Sequence, residues 1–196
     1  MSRKPRILAL MGSPRGEALI AHLLRVGAEG ASAAGAEVTT VFLADLPLPV
    51  YDSDWEAEHG IPENARTLRT FVSENHGLLV ATSELNGGYS TLLKNAIDWA
   101  TRVDVFDEST GSVFAGRAAA LISASTEPFG GMRSQVALQL ALTGLGTMVI
   151  PTVFAMNSAN KDGDVMAKAE QAVHRIGHSL AQVTAKLVPG GAATWI

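Results

Sequence analysis

The chain contains no cysteine, which removes disulfide frameworks, thiol nucleophiles, thiolate-bound zinc and iron–sulfur clusters together. Charge is scarce as well: Asp, Glu, Lys and Arg make up 17% of the residues, against a usual share of about 25%, while apolar residues make up 47%. That balance excludes a disordered chain and calls for a large buried core. A net charge of −4 argues against a general nucleic-acid or anionic-membrane surface. Long hydrophobic runs are missing too. The one behind the basic start Arg3, Lys4, Arg6 covers only residues 7–11, too short for a signal peptide or a bilayer span. Two phosphate motifs, GxxxxGK[ST] and GxGxxG, are absent, and so is the Gly-x-Ser-x-Gly elbow of serine hydrolases. The expectation is a cytoplasmic protein with neither a nucleic-acid nor a membrane partner.

What is present is an alternation of short apolar runs with helical periods. A single domain spanning residues 1–196 fits the length and needs no metal or cross-link to fold. Strands are expected at residues 6–11, 37–43, 77–82, 118–123 and 147–150. Between them, Ile20, Leu23, Leu24, Gly27 and Ala31 form one helix face, and further helices are expected at 62–75, 92–102 and 132–144. Val165, Ala169, Val173, Ile176, Leu180 and Leu187 keep one face along a last helix that starts after Asp162 and stops before Pro189. Residues 45–61 are expected to form a long loop. Five strands separated by helices imply an α/β fold with a parallel sheet. Their number favours the flavodoxin-like three-layer sandwich, order 2-1-3-4-5, over the longer dinucleotide-binding sheet. Ligands in such sheets sit beyond the carboxyl ends of the strands, which points to the loops after Met11, Thr82 and Ser123.

The first loop, Gly12-Ser13-Pro14-Arg15-Gly16-Glu17, precedes a helix N-terminus, where free backbone N–H groups attract anions. Ser13 offers a hydroxyl and Arg15 a planar fork for phosphate oxygens. The same residues suit a plain helix start, with Ser13 as cap, Pro14 in the first turn and Arg15 solvated. The second loop carries more information. The run from Ser83, Glu84, Leu85, Asn86, Gly87 and Gly88 to Leu93-Lys94-Asn95-Ala96-Ile97-Asp98-Trp99 resembles the signature of the NADPH-dependent FMN reductase family. That family, which also contains quinone, chromate and azo-dye reductases, usually reads Pro-Glu-Tyr-Asn, a short turn, then Leu-Lys-Asn-Ala-Ile-Asp-Trp. Ser123-Ala124-Ser125 followed by Gly130-Gly131-Met132-Arg133 is similar to its third loop, and the resemblance runs from residue 6 to about residue 151.

The resemblance implies FMN as cofactor, NADPH or NADH as co-substrate, and a quinone, azo, nitro or flavin acceptor. It implies that Ser13 and Arg15 hold the phosphate and that Glu84, Leu85, Asn86 and Gly87 line the ring edge, mainly by backbone. Ser125, Thr126 and Glu127 approach the ring from the third loop. It further implies a homodimer or homotetramer with the flavin at the interface. Hydride chemistry on a flavin needs no catalytic side chain. The chain departs from the family at several places: Ala18 and Ile20 stand where Ser and Asn usually bond the phosphate, Ser83 replaces Pro, Leu85 replaces Tyr, and the flanking turn reads Gly88-Tyr89-Ser90-Thr91 rather than Ser-x-Pro-Gly. Two lost bonds to a dianion, at about 1.5–3 kcal/mol each, imply weakly held FMN. The alternatives are a paralogue that has lost flavin binding and serves as a binding or regulatory module, and a nucleotide-binding protein without redox chemistry.

Other residues have plainer readings. Lys94, Asn95, Asp98 and Arg102 share a helix face, either a solvated stripe with an Asp98–Arg102 pair or a surface near a subunit contact. Trp99 is expected in the core or an interface. His174 and His178 are spaced as metal ligands but lack a third, so no metal is expected. His22, His59 and His76 are isolated and read as structural. Tyr51 and Trp55 either cover a substrate pocket or pin a surface loop.

Overall fold

The computed structural model describes residues 4–14, 18–102, 112–160 and 162–187. Its strands are β1 (Arg6–Met11), β2 (Glu37–Phe42), β3 (Gly77–Leu85), β4 (Gly88–Tyr89), β5 (Ala118–Ser125), β6 (Met148–Val149) and β7 (Phe154–Asn157). Its helices are α1 (Ala18–Ala33), α2 (Ser53–His59), α3 (Glu63–Glu74), α4 (Thr91–Ala100), α5 (Met132–Gly144) and α6 (Gly163–Leu187). The sheet order is β2-β1-β3-β5-β6, with β7 also beside β5 and β4 folded back on β3. Every pairing is parallel except β3 with β4. The expected order 2-1-3-4-5 is therefore observed, with β5 as the fourth strand and β6 plus β7 as a divided fifth. Pro151 lies between those two pieces, and a residue with no N–H cannot continue a ladder.

Alternation along the strands builds the three layers. Ile7, Ala9 and Met11 pack on the α1–α6 side, together with Leu79, Ala81 and Ile122. Leu8, Leu10, Leu78, Val80 and Leu121 face the opposite way and meet α3, α4 and α5 through Leu68, Leu93 and Leu138. Each strand side chain points away from its neighbours' face, so a continuous apolar run fills both cores at once. Among the described residues no helix is long and apolar enough to cross a membrane.

Helices α1 and α6 touch through glycine. A Cβ on Gly177 would lie 1.8 Å from the Gly27 carbonyl oxygen, and one on Gly30 would lie 2.0 Å from that of His174. The backbones can approach this closely only because both sites lack side chains. At the rim of this contact His22 Nε2 and Glu170 Oε1 are 2.7 Å apart and half-exposed, a pair of small energetic weight.

Several sequence expectations need correction. Residues 45–61 are not a continuous loop: Leu43–Asp45 form a 3-10 turn and Ser53–His59 a helix. Asp52 caps that helix by accepting from the N–H groups of Asp54 (2.8 Å) and Trp55 (2.9 Å), and Gly60 ends it at φ +76°. Both signals are local and legible in sequence. β3 runs three residues beyond its expected end at Thr82 because it enters a hairpin. Asn86 at φ +51° and Gly87 at φ +78° make the two-residue turn that joins Leu85 to Gly88. Asn-Gly is the preferred pair for such a turn, since both positions need positive φ. β5 continues to Ser125 because β7, which the sequence reading omits, pairs with it from Ile122 to Ser125.

Substitution at the glycine contact tests this packing. Gly177→Ala is expected to destabilise the fold by about 3 kcal/mol, at the upper end for an overpacked core, because backbone rather than a flexible side chain must move. Gly144→Ala, with nothing within 4 Å of the added Cβ, is expected to be neutral or stabilising. Urea unfolding of the two variants checks the contrast.

Candidate functional site

The parallel register places the carboxyl ends of β1, β3 and β5 side by side, so the three loops that follow them share one edge of the sheet. Hydrogen bonds tie the first two loops together. Gly12 N–H donates to the Ala81 carbonyl (2.7 Å), and the Ser90 hydroxyl donates to the Gly12 carbonyl. The same Ser90 oxygen accepts from Leu93 N–H (3.1 Å), capping α4, while Ser90 N–H donates to Thr82 Oγ1 (3.2 Å). Ser13 Oγ accepts from Ser83 N–H (2.6 Å) and donates to Ser83 Oγ (3.1 Å).

The second and third loops are joined through charge. The Glu84 side chain is 0% exposed, yet it is ionically paired. It accepts from Arg133 Nε at 2.7 Å and from Ser134 N–H at 3.3 Å, and Arg133 Nη2 also pairs with it. Arg133 then reaches Glu127 at 3.4 Å and lies over the Phe129 ring. The bond to Glu84 is the main reason its guanidinium pKa stands above the ordinary arginine value. Gly130 and Gly131, at φ +59° and +93°, shape the turn before α5. A Cβ on them would strike Met156 backbone at 2.5 Å and Ser123 Oγ at 2.6 Å, so both positions require glycine. Gln135 lies beneath, donating to Ser123 Oγ (2.8 Å) and to the Phe154 carbonyl, and its Oε1 has no partner among the described residues.

The structure brings most of the expected site residues to this edge, in differing postures. Ser13 is buried and engaged by Ser83. Arg15 lies outside the described residues. Glu84 turns its carboxylate into the protein, toward α5. Leu85 and Asn86 are exposed, and Gly87 beside them is half-buried. Ser125 is buried and accepts from Glu127 N–H (3.2 Å), while Thr126 and Glu127 are exposed. Sequence reasoning did not assign Arg133, Ser83 or Ser90 to the site, although Arg133 closes the Gly-Gly-x-Arg segment and Ser90 stands one residue before α4, where a cap is expected.

The helices that open on this edge are electrically suited to an anion. None of α1, α4 and α5 has an acidic residue in its first turn. At α5 the Glu84 carboxylate already takes the Ser134 N–H, so the partial positive ends left without a carboxylate in their own first turn or from Glu84 are those of α1 and α4.

The Lys94–Trp99 run also has a structural explanation. Asn95 and Trp99, one helical turn apart, both donate to the Pro49 carbonyl, from Nδ2 at 2.9 Å and Nε1 at 2.8 Å. Asn95 Oδ1 accepts from Tyr51 N–H at 2.8 Å. The segment after β2 is thereby docked on α4, with Tyr51 and Trp55 edge-on against buried Trp99. The Asp98–Arg102 pair expected from spacing does not form. Lys94 takes Asp98 at 2.6 Å, and Arg102 reaches Glu56 of α2 at 2.9 Å. His59 stacks on Trp55, and His76 Nδ1 accepts from Arg6 N–H. Among the described residues no group of three or more His, Asp or Glu is placed to hold a metal ion.

A doubly wound sheet with its helix N-termini and loops gathered in this way defines a flavodoxin-like α/β protein. The fold is that of a flavoenzyme NAD(P)H:(acceptor) oxidoreductase from Paracoccus denitrificans, with a TM-score of 0.68, 24% identity, and 92% of this chain and 98% of that one covered. It is shared with an FMN-dependent NADH-azoreductase from Bacillus anthracis solved with FMN, with a TM-score of 0.66, 17% identity, and 90% and 99% covered. The model of the NADPH-dependent FMN reductase family matches residues 5–161. A quinone reductase of Escherichia coli is 30% identical over 150 residues, covering 76% of each chain. The chain belongs to the NADPH-dependent FMN reductase family and is an oxidoreductase.

The Glu84 clamp can be tested directly. Glu84→Gln is expected to destabilise the fold by about 1–2 kcal/mol, since a buried charge-assisted bond is lost while Arg133 keeps access to solvent. Hydrogen exchange at residues 127–135 should accelerate, whereas α1 and α6 should keep their protection.

Proposed function

We propose that the chain is an FMN-dependent NAD(P)H oxidoreductase that passes hydride from reduced nicotinamide to a small-molecule acceptor, with quinones and azo compounds as the leading class. The names of the quinone reductase and the azoreductase support those acceptors, and the NAD(P)H-dependent FMN reductase of Pseudomonas aeruginosa, 36% identical over 107 residues and 54% of each chain, supports FMN and NAD(P)H. The observation that carries the reading is the convergence of two helix N-termini without an acid in the first turn, those of α1 and α4, on loops that expose bare backbone at Asn86 and Gly87. These features fit FMN: an anionic phosphate meets uncompensated N–H dipoles, and a flat ring edge meets a turn with little side chain in the way.

In this reading the backbone of the first loop, with Ser13 and Arg15, holds the phosphate. Leu85, Asn86 and Gly87 face the ring edge by backbone, and Ser125, Thr126 and Glu127 approach from the third loop. Glu84 acts at one remove: its charge is satisfied internally by Arg133, so it adds little repulsion at the mouth while stiffening both loops. FMN, when bound, supplies the hydride-accepting and hydride-donating chemistry. The chain's own part is to bind, orient and hold N–H dipoles where negative charge collects. A cytoplasmic location accords with a cysteine-free chain that draws on reduced nicotinamide.

One observation favours a second reading, a paralogue with weakened flavin binding that serves as a binding module. Ile20, at the family's Asn position, is 1% exposed and belongs to the core beneath the sheet, so it has no role at a phosphate. We further infer a homodimer. Met132, Val136 and Leu140 form an exposed apolar stripe along α5, 55%, 65% and 77% accessible, continuous with exposed Phe129 beside the site.

Titration of the purified apoprotein with FMN is expected to show saturable quenching at one FMN per chain, and NADPH should then bleach the visible absorption and support quinone reduction. Absence of binding at high FMN would leave the binding-module reading in its place. For assembly, Val136→Asp with Leu140→Asp is expected to convert the dimer to a monomer of unchanged helix content, by light scattering and circular dichroism. A wild-type protein that is already monomeric would remove the dimer.

A further inference from the structure

Two serines, 70 residues apart in sequence, lock the first loop to the second. The bond from Ser83 N–H to Ser13 Oγ is short, at 2.6 Å, and Ser83 Oγ, 3.1 Å away, is the acceptor that the Ser13 hydroxyl reaches. A serine hydroxyl carries one proton and two lone pairs. A proton given to Ser83 Oγ is one that Ser13 cannot give to another acceptor. Ser13 is also 1% exposed, so the group is closed off as well as occupied. Both bonds are made by Ser83, one by its main chain and one by its side chain. The lock thus belongs to Ser83.

We propose that Ser83 latches Ser13 away from the anion side of the first loop and thereby sets how tightly this chain holds the phosphate of FMN. The inference rests on the FMN reading above. It separates the two bonds that Ser83 makes. The N–H bond uses a lone pair of Ser13 and leaves its proton alone, so it can persist when an anion binds, and it polarises the hydroxyl in the useful sense. The bond to Ser83 Oγ consumes the proton, and it must be given up before Ser13 can donate to a phosphate oxygen. The hydroxyl of Ser83 is the competing acceptor; its backbone is not. A charge-assisted bond to phosphate outweighs a bond between neutral hydroxyls, so FMN can open the latch, with its affinity reduced by what the latch is worth.

The test compares wild type with Ser83→Ala, Ser83→Thr, Ser13→Ala and the Ser13→Ala/Ser83→Ala double variant. Apoprotein of each is titrated with FMN and, as a phosphate-free probe, with riboflavin, following flavin fluorescence. Circular dichroism and thermal melting check that each is folded. Ser83→Ala removes the competing oxygen and keeps the N–H, so the FMN Kd is expected to fall about three- to tenfold, the range of one neutral hydrogen bond. Ser83→Thr should bind as wild type does. Riboflavin affinity should not move, and the gain should vanish in the double variant, which lacks the Ser13 hydroxyl. FMN binding by Ser83→Ala where wild type shows none would support the latch in its strongest form.

Unchanged or weaker FMN binding in Ser83→Ala would overturn the latch, the weaker case making Ser83 itself a donor to the anion. An equal gain for riboflavin, or a gain that survives without Ser13, would overturn it as well. The two readings fail separately. Wild type that binds FMN with no response to Ser83→Ala removes only the latch, whereas no FMN binding by any of the five proteins removes the cofactor reading and the latch together.

Discussion

A carboxylate removed from water must be met by donors, and Glu84 is met from one helix by two of them. Arg133 brings a guanidinium and Ser134 a backbone N–H, both from the first turn of α5, while Glu84 itself stands near the end of β3. The remaining arrangement of the site follows. The third loop must end where α5 can present those groups, which forces the left-handed turn at Gly130 and Gly131. The second loop must hold β3 extended as far as Leu85, which leaves Asn86 and Gly87 to reverse the chain. The sheet sets β3 beside β5 as far as Ser83 and Ala124, and the charge at position 84 ties together the loops beyond them.

The signature run of α4 illustrates how a family motif can be structural in mechanism while bordering a functional site. Asn95 and Trp99 grip one carbonyl, that of Pro49, and Asn95 turns its remaining oxygen to Tyr51. A carbonyl of a proline-rich loop has no strand or helix partner, so two side-chain donors one helical turn apart are an economical way to satisfy it. Replacement of either donor would release the segment between β2 and α3 from the helix that starts at the site. The motif therefore couples the long connection to the same helix whose N-terminus Ser90 ties to the first loop.

The departures from the family pattern also form a consistent set. Ile20 is committed to the core, Ala18 offers no side-chain donor at the start of α1, and Ser13 is engaged by Ser83. All three lie at the end of the site proposed to face a phosphate, whereas the hairpin tip and the third loop retain open backbone. In the proposed reading, the described residues offer an anion backbone N–H groups and helix dipoles more than side chains. Such sites are tolerant of substitution, since the donors belong to the main chain.

The layers, the strand order and the edge that carries the site were legible in the amino-acid sequence. Alternation within strands and the three-to-four spacing within helices are local properties, and hydrophobic burial enforces them wherever the chain folds. The capped helix after Asp52 and the Asn-Gly hairpin were equally local, and their signals stood in the sequence. What only the tertiary structure decided is where polar side chains turn. Ser13 meets Ser83 across 70 residues, Arg133 meets Glu84 across 49, and Arg102 prefers Glu56 across 46 to Asp98 on its own helix. Such partners are chosen by sheet register and loop geometry, and a hydrogen bond depends on tenths of an ångström that no spacing along the chain encodes.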